Sequence, residues 1–91
     1  MNLSRPNSTL HSSLKTIVDL EYLARKWPSE IVAREMIGQF SGGLLHPRTM
    51  ANHDSKGTGP EGAIRCGRKI AYPVGSLINW MQERAAPARE V

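Results

Sequence analysis

Proline and glycine divide this sequence into short segments, and that division limits what the chain can fold into more than any other feature. Proline lacks a backbone N–H and, within a helix, fits only the first turn, so Pro28, Pro47 and Pro73 each stop or open a segment. Glycines follow in Ser-Gly-Gly at 41–43 and in the loop 57–62, which also holds a proline. With 91 residues in all, we expect one small domain of short elements around a thin core.

Apolar residues recur at helical spacing (i, i+3, i+4, i+7) in the segments between these breaks, which predicts a helix in each. The first is capped by Asp19 and stopped by Pro28, the second runs over 29–40, the third over 47–56 and the fourth over 74–84. The residues predicted to face the core are Leu20, Leu23, Ala24, Trp27, Ala33, Met36, Ile37, Phe40, Leu44, Leu45, Met50, Leu77, Ile78, Trp80 and Met81, with Val32 at the border.

A β-hairpin is predicted between the third and fourth helices. Residues 63–66 and 70–72 read as two short strands around the turn Gly67-Arg68-Lys69, and Pro73 ends the second strand. The order is helix, helix, helix, hairpin, helix, which is a mainly α fold with a small β-hairpin. Residues 1–15 are rich in Ser, Asn and Thr and are expected to be a flexible arm before a domain over 16–86, with a tail at 87–91.

Positive charge is concentrated in one part of the chain. The formal net charge is +4, and residues 46–72 carry +3 of it, from five basic residues against Asp54 and Glu61. A basic segment of this kind suits a polyanionic partner. A solvated basic surface that serves solubility is the alternative that charge alone leaves open.

Several other classes of protein are not expected. Cys66 is the only cysteine, and His11, His46 and His53 lie far apart, so we expect no disulfide, no metal site and no other cofactor. The loop 57–62 matches Gly-x-Gly-x-x-Gly, but it follows a predicted helix and leads into a strand, the reverse of a dinucleotide site. No catalytic motif and no apolar run of about 18–20 residues is present, so we expect a cytoplasmic protein without enzymatic activity.

The stretch LLHPRTMANHDSKGTGPEGAIRCGRKIAYPVGSLINWMQER, residues 44–84, resembles the MerR-like winged helix-turn-helix domains of excisionases from phages and integrative elements. The resemblance is carried by Pro-Arg-Thr at 47–49, Asn52, Lys-Gly at 56–57, Gly-Pro at 59–60, Gly-Arg-Lys at 67–69, Tyr-Pro at 72–73, and Leu77 with Trp80 in the closing helix. Two features depart from the family pattern. Residues 28–43 exceed the family's short turn and predict an inserted helix, and His46 stands where a Ser or Thr cap is common.

The resemblance implies that the third helix is a recognition helix in the major groove and that the hairpin is a wing. Arg48 would then contact guanine or a phosphate, Asn52 one turn later would pair with adenine, and Thr49 would contact a phosphate or a thymine methyl group. The remaining implied contacts are with phosphates: His53 and Lys56 on the helix, and Arg65, Arg68 and Lys69 on the wing. Tyr72, Leu77 and Trp80 are expected to pack hairpin and last helix onto the bundle.

At the level of function, the resemblance implies an excisionase, also called a recombination directionality factor. Such a protein binds adjacent sites on double-stranded DNA in the attachment-site region, self-associates head to tail, bends the duplex and promotes excision of a mobile element by an integrase. It would act in a bacterial cytoplasm, associated with the nucleoid. Because a fold does not fix a function, a transcriptional regulator with the same fold stays open, as does an adaptor that binds only proteins. The concentrated charge at 46–72 speaks against the adaptor.

Overall fold

A computed structural model describes residues 19–88, which form four α-helices and one three-stranded antiparallel sheet. In chain order the elements are α1 (Glu21–Lys26), β1 (Ile31–Ala33), a 3₁₀ turn (Arg34–Met36), α2 (Ile37–Phe40), α3 (Pro47–Lys56), β2 (Ile64–Cys66), β3 (Lys69–Pro73) and α4 (Val74–Arg84). The fold is therefore mixed α/β, where the sequence predicted a mainly α chain. The predicted arm at 1–15 lies outside the described residues, as does the end of the predicted tail.

The helix predicted over 29–40 is wrong in its first part and confirmed only over Ile37–Phe40, and this is the main correction to the sequence-based fold. Its first part is the strand β1, which pairs with β3 so that Val32 lies opposite Tyr72 and Ile31 opposite Pro73. Val32 is fully buried while Ile31 is 42% exposed, the alternation of a strand with one face on the core. The apolar residues of 29–40 have a helical spacing, but Ile31 and Val32 are β-branched and pair with a strand about 40 positions away. This tertiary pairing overrides the local preference for a helix.

The outer edge of β1 is closed by side chains from its own segment. The Trp27 indole Nε1 donates to the carbonyl oxygen of Ile31 (2.9 Å), and the Ile31 amide donates to Ser29 Oγ (3.2 Å). Exposed strand edges tend to pair with other chains, and satisfying their backbone groups locally removes that tendency. The sheet order β1–β3–β2 therefore has a blocked edge at Ile31 on one side and the hairpin strand β2 on the other.

The third and fourth helices have the predicted bounds, and the hairpin is confirmed. Strands β2 and β3 pair in antiparallel register, with Ile64 opposite Ala71 and Cys66 opposite Lys69, so that Gly67 and Arg68 form a two-residue turn. Helix α1 begins at Glu21 with Leu20 as its capping residue, and the predicted cap Asp19 stands one residue earlier, where its Oδ1 accepts the Glu21 amide (3.0 Å). None of the helices within 19–88 is long and apolar enough to cross a bilayer.

One apolar cluster joins the helices to the sheet. Its buried members are Val32, Ile37, Phe40, Met50, Tyr72, Leu77, Ile78, Trp80 and Met81. Leu20, Leu23, Ala24, Trp27 and Leu45 are only partly buried against it. Most of the predicted core residues thus face the core, but Met36 and Leu44 do not: they are 36% and 72% exposed. Gly42 and Gly43 have φ of 67° and 91°, and this left-handed turn after α2 leaves Leu44 pointing outward.

Three polar side chains from different elements meet beside this core. Arg34 of the 3₁₀ turn donates from Nη2 to Asp54 Oδ2 (2.6 Å) and from Nε to the Tyr72 hydroxyl oxygen (3.0 Å). The Tyr72 hydroxyl in turn donates to the same Asp54 oxygen (2.6 Å). Asp54 lies on α3 and Tyr72 on β3, so this triad holds α3 against the sheet. The sequence analysis assigned Tyr72 to packing and did not foresee its polar partners.

The site of Tyr72 raises the pKa of its hydroxyl to about 12 from the ordinary value near 10. Burial is the largest cause, because it penalises the phenolate, and the hydrogen bond to Asp54 acts in the same direction, whereas the hydrogen bond from Arg34 opposes the rise. The pKa of Arg34 is raised as well, chiefly by its hydrogen bond to Tyr72. The neutral phenol is therefore favoured in the folded protein over the unfolded one. Its contribution to stability is complete below pH 10 and is lost as the pH rises through about 12.

We expect Tyr72→Phe to lower the free energy of unfolding by about 1–2 kcal/mol at pH 8, since it removes a buried hydroxyl that both donates and accepts. Between pH 10 and 12 the wild type should lose on the order of 2 kcal/mol of its free energy of unfolding as Tyr72 ionises, and the variant should not. The free energies of unfolding of the two proteins should therefore converge. Urea unfolding followed by circular dichroism at several pH values measures both. Tyr22→Phe, at a half-exposed tyrosine on α1, is the control. A difference between wild type and Tyr72→Phe that stays constant from pH 8 to 12 would contradict the assignment.

Candidate nucleic-acid interface

Helix α3 is bounded by two caps that its sequence supplies. The His46 side chain accepts the Arg48 amide at Nδ1 (3.1 Å), and Pro47 occupies the first helical position. His46 thus does the work of the Ser or Thr cap that the sequence lacks. At the other end Gly57 has φ of 77°, which is the left-handed conformation that ends a helix, and Thr58 N donates to His53 O (2.9 Å).

Helix α3 has a distinct inner and outer side. Met50 is buried, and Asp54 turns toward the sheet to meet Arg34 and Tyr72. The opposite face is exposed along the whole helix and is made of five polar or charged residues. They are Arg48, Thr49, Asn52, Ser55 and Lys56. Four of these five were predicted from the sequence to contact DNA. The structure adds Ser55, whose hydroxyl donates to the Asn52 carbonyl oxygen (3.1 Å).

His53 lies apart from this exposed face. Its ring packs edge-on against the Trp80 indole with centroids 5.0 Å apart, and Nδ1 lies 2.8 Å from Thr58 Oγ1. Trp80 Nε1 donates to Thr58 O (2.8 Å), and the Arg84 guanidinium stacks over the same indole at 4.0 Å. His53 therefore belongs to a contact between α3, α4 and the loop after α3. The predicted phosphate contact of His53 stays a prediction.

The hairpin carries three exposed basic residues. Gly67 has φ of 64° and supplies the first position of the two-residue turn, and Arg68 is the second. Lys69 follows as the first residue of β3, and Arg65 lies on β2 opposite Ile70. All three side chains that the sequence proposed for the wing therefore reach the surface of one hairpin.

The hairpin turn and the start of α3 line the same cleft. Pro47 lines one cleft together with Arg68 and Lys69, across the 3₁₀ turn that contributes Arg34 and Glu35. A second cleft has Asp54 of α3 on one side and Arg65 of β2 on the other. Helix and hairpin are thus neighbours at both ends of α3, although about 20 residues separate Arg48 from Arg68 in the sequence.

Acidic residues are turned away from the outer face of α3. The two acids of the basic segment are Asp54, which is paired inward with Arg34, and Glu61, which lines a separate cleft with Asn79 and Arg84 of α4. The exception near the hairpin is Glu35, whose carboxylate oxygens lie 2.7 and 2.8 Å from Lys69 Nζ. Neither Arg34 nor Glu35 was predicted from the sequence, because each meets a partner 20 or more residues away and no local pattern marks it.

The loop 57–62 approaches α3 closely at Gly59. A side-chain carbon at this position would overlap Asp54 Oδ1, so only glycine leaves the carboxylate free to meet Arg34 and Tyr72. The Gly-x-Gly-x-x-Gly pattern here thus follows α3 and precedes β2, and its middle glycine serves packing. Among residues 19–88 there is no cluster of three or more His, Cys, Asp or Glu that could hold a metal ion.

Comparison of the chain with family models, with curated proteins and with solved structures gave no match. Function has to be inferred from the site itself.

Gly59→Ala should lower the free energy of unfolding by about 1–3 kcal/mol, because the new methyl group displaces the Asp54 carboxylate from its two partners. Gly75→Ala is the matched control: it lies in α4, nothing stands within 4 Å of its added carbon, and alanine is the better helix former. That variant should be neutral or more stable by up to about 1 kcal/mol. Urea unfolding of both proteins tests this, and equal losses would show that the close approach to Asp54 does not matter.

Proposed function

We propose that this chain is a sequence-specific binder of double-stranded DNA with a winged helix-turn-helix fold. Helices α2 and α3 would form the helix-turn-helix, with α3 as recognition helix and the β2–β3 hairpin as wing. The order of elements supports this proposal, since β1 lies between the first two helices and completes the sheet of the wing. The segment 28–43 is then an integral strand, turn and helix of the domain, and no inserted helix is needed.

One observation carries the proposal. The outer face of α3 is exposed, polar and free of acidic side chains, and the first residue of this helix, Pro47, lines a cleft with Arg68 and Lys69 of the hairpin. A duplex needs two such surfaces at once, one to enter a groove and one to follow the phosphates. Arg48 and Asn52 lie one turn apart on that face, the spacing at which two side chains reach neighbouring base pairs.

The roles of the individual residues follow from their positions. Arg48 and Asn52 would read base edges, with Thr49 near the same bases or a phosphate. Lys56 at the end of α3 would meet the backbone, as would Arg65, Arg68 and Lys69 on the wing. His53 would have to leave Trp80 and Thr58 to reach a phosphate, so we expect it to contribute least.

Within DNA-binding proteins we propose an excisionase, on the resemblance of residues 44–84 to that family. A single recognition helix reads few base pairs, so a protein of this size gains specificity by binding adjacent sites through head-to-tail contacts, which also bends the duplex. The partners would be the attachment-site DNA of a mobile element and its integrase. A transcriptional regulator with the same fold is the alternative, and it would bind at a promoter instead.

Arg48→Ala should weaken binding to the selected target site by about 1–3 kcal/mol while largely sparing random duplex, because it removes a base contact. The target is obtained by selection from a pool of random duplexes, and affinities are measured by fluorescence anisotropy at fixed salt. Arg25→Ala on α1 makes the same charge change on an exposed residue away from α3 and should affect both duplexes little. Equal losses on target and random DNA would remove Arg48 from base readout.

If the chain is an excisionase, footprints should cover several adjacent sites in the attachment region of its element. Adding the protein to the cognate integrase should then raise excision and not integration, since it assembles only the excisive complex. Circular permutation of the bound fragment measures the expected bend. The Arg48→Ala protein is the control for both assays. Footprints confined to a promoter, with no effect on recombination, would replace the excisionase by a regulator.

A further inference from the structure

Glu35 and Lys69 form an ion pair at the edge of the candidate interface. Both Glu35 oxygens accept from Lys69 Nζ, at 2.7 and 2.8 Å, and the side chains are 57% and 65% exposed. The pair lies in the cleft that also holds Pro47 at the start of α3 and Arg68 at the hairpin turn. Its carboxylate therefore occupies a position against Lys69 that a phosphate oxygen could also take.

The position of Glu35 is set by its neighbour in the sequence. Arg34 is held by Asp54 of α3 and by Tyr72 of β3, which fixes the 3₁₀ turn from which Glu35 projects. An exposed pair of long side chains contributes little to stability, so the fold does not need this contact. The larger effect of the Glu35 carboxylate is on any other anion that approaches Lys69.

We propose that Glu35 is a built-in competitor of the DNA backbone for Lys69, an inference that rests on the proposed function. A phosphate that reaches Lys69 comes close to the Glu35 carboxylate and is repelled by it. Glu35 thereby weakens the sequence-independent part of binding and leaves contacts on the outer face of α3 untouched. Because a phosphate contact forms on any sequence, Glu35 lowers the affinity for duplex DNA in general and the dependence of that affinity on salt. Glu35 is thus a residue that tunes backbone affinity and touches no base.

The test compares Glu35→Gln with the wild type on a random duplex of about 25 base pairs, by fluorescence anisotropy between roughly 50 and 200 mM NaCl. The variant should bind this duplex about three- to tenfold more tightly at the lowest salt, since a repulsive charge is gone and Lys69 is released. The slope of log affinity against log salt should steepen by up to about 1, the share of one additional phosphate contact.

Two controls separate the ion pair from a general change of charge. Glu30→Gln makes the same charge change at the opposite end of β1, beside Val74 rather than Lys69. It should give less than a twofold gain. In a protein that already carries Lys69→Ala, Glu35→Gln should give no more than the Glu30→Gln variant does. Thermal unfolding of each variant checks that the fold is retained.

Each other outcome overturns the inference in a distinct way. Equal gains from Glu35→Gln and Glu30→Gln would mean that only net charge matters. A gain that persists without Lys69 would mean that Glu35 acts on DNA by another route. Weaker binding by Glu35→Gln would mean that Glu35 positions Lys69 for the phosphate. If the wild type binds no duplex even at the lowest salt, the proposed function itself fails, and the inference with it.

Discussion

The triad of Arg34, Asp54 and Tyr72 is the contact on which the arrangement of this domain depends. It joins the 3₁₀ turn, α3 and β3 at one point, through three hydrogen bonds of 2.6 to 3.0 Å, beside the apolar cluster. The apolar contacts of Met50 would hold α3 near the sheet but do not by themselves fix its rotation about its own axis. The paired charges do, because leaving either one without its partner in a half-buried site is costly.

That rotation decides what the surface of α3 presents. With Asp54 drawn inward, the charge of the helix's one acid is paired with Arg34, and Arg48, Thr49, Asn52, Ser55 and Lys56 face outward as one strip. The same triad depends on Gly59, since any larger residue there would push against Asp54. The loop after α3 is fastened in turn by Trp80 and Arg84, which both donate to the Thr58 carbonyl oxygen. Core, triad and loop thus act together to orient one helix face.

The 3₁₀ turn links the two surfaces of the candidate interface through adjacent residues. Arg34 binds α3 and β3, while Glu35 binds Lys69 beside the hairpin turn. These two bonds differ in kind: the first is partly buried and structural, whereas the second is exposed and open to competition by an anion. A segment read from the sequence as a plain helix therefore carries both the contact that orients the interface and the one we propose to tune it.

The sequence by itself determined the elements whose signals are local. Pro47 and Gly57 bound α3, Gly67 places the hairpin turn, and the apolar spacing of α4 gives its buried side, because caps, turns and periodicity act within a few residues. The exposure of Arg48, Asn52 and the hairpin cations could also be predicted from the sequence, since it requires only knowing which side of each element faces the core.

Only the tertiary structure decided what residues 29–40 become and which charges pair. β1 exists because Val32 meets Tyr72, and Arg34 and Glu35 find partners 20 to 38 positions away, at separations where a local pattern carries no information. Leu44 was predicted to face the core, but the left-handed glycine pair before it turns its side chain outward. The side chain of His53 packs against Trp80 of α4, a contact between distant segments that no local pattern marks. Free energy gained between segments that are remote in the chain thus overrode local preference.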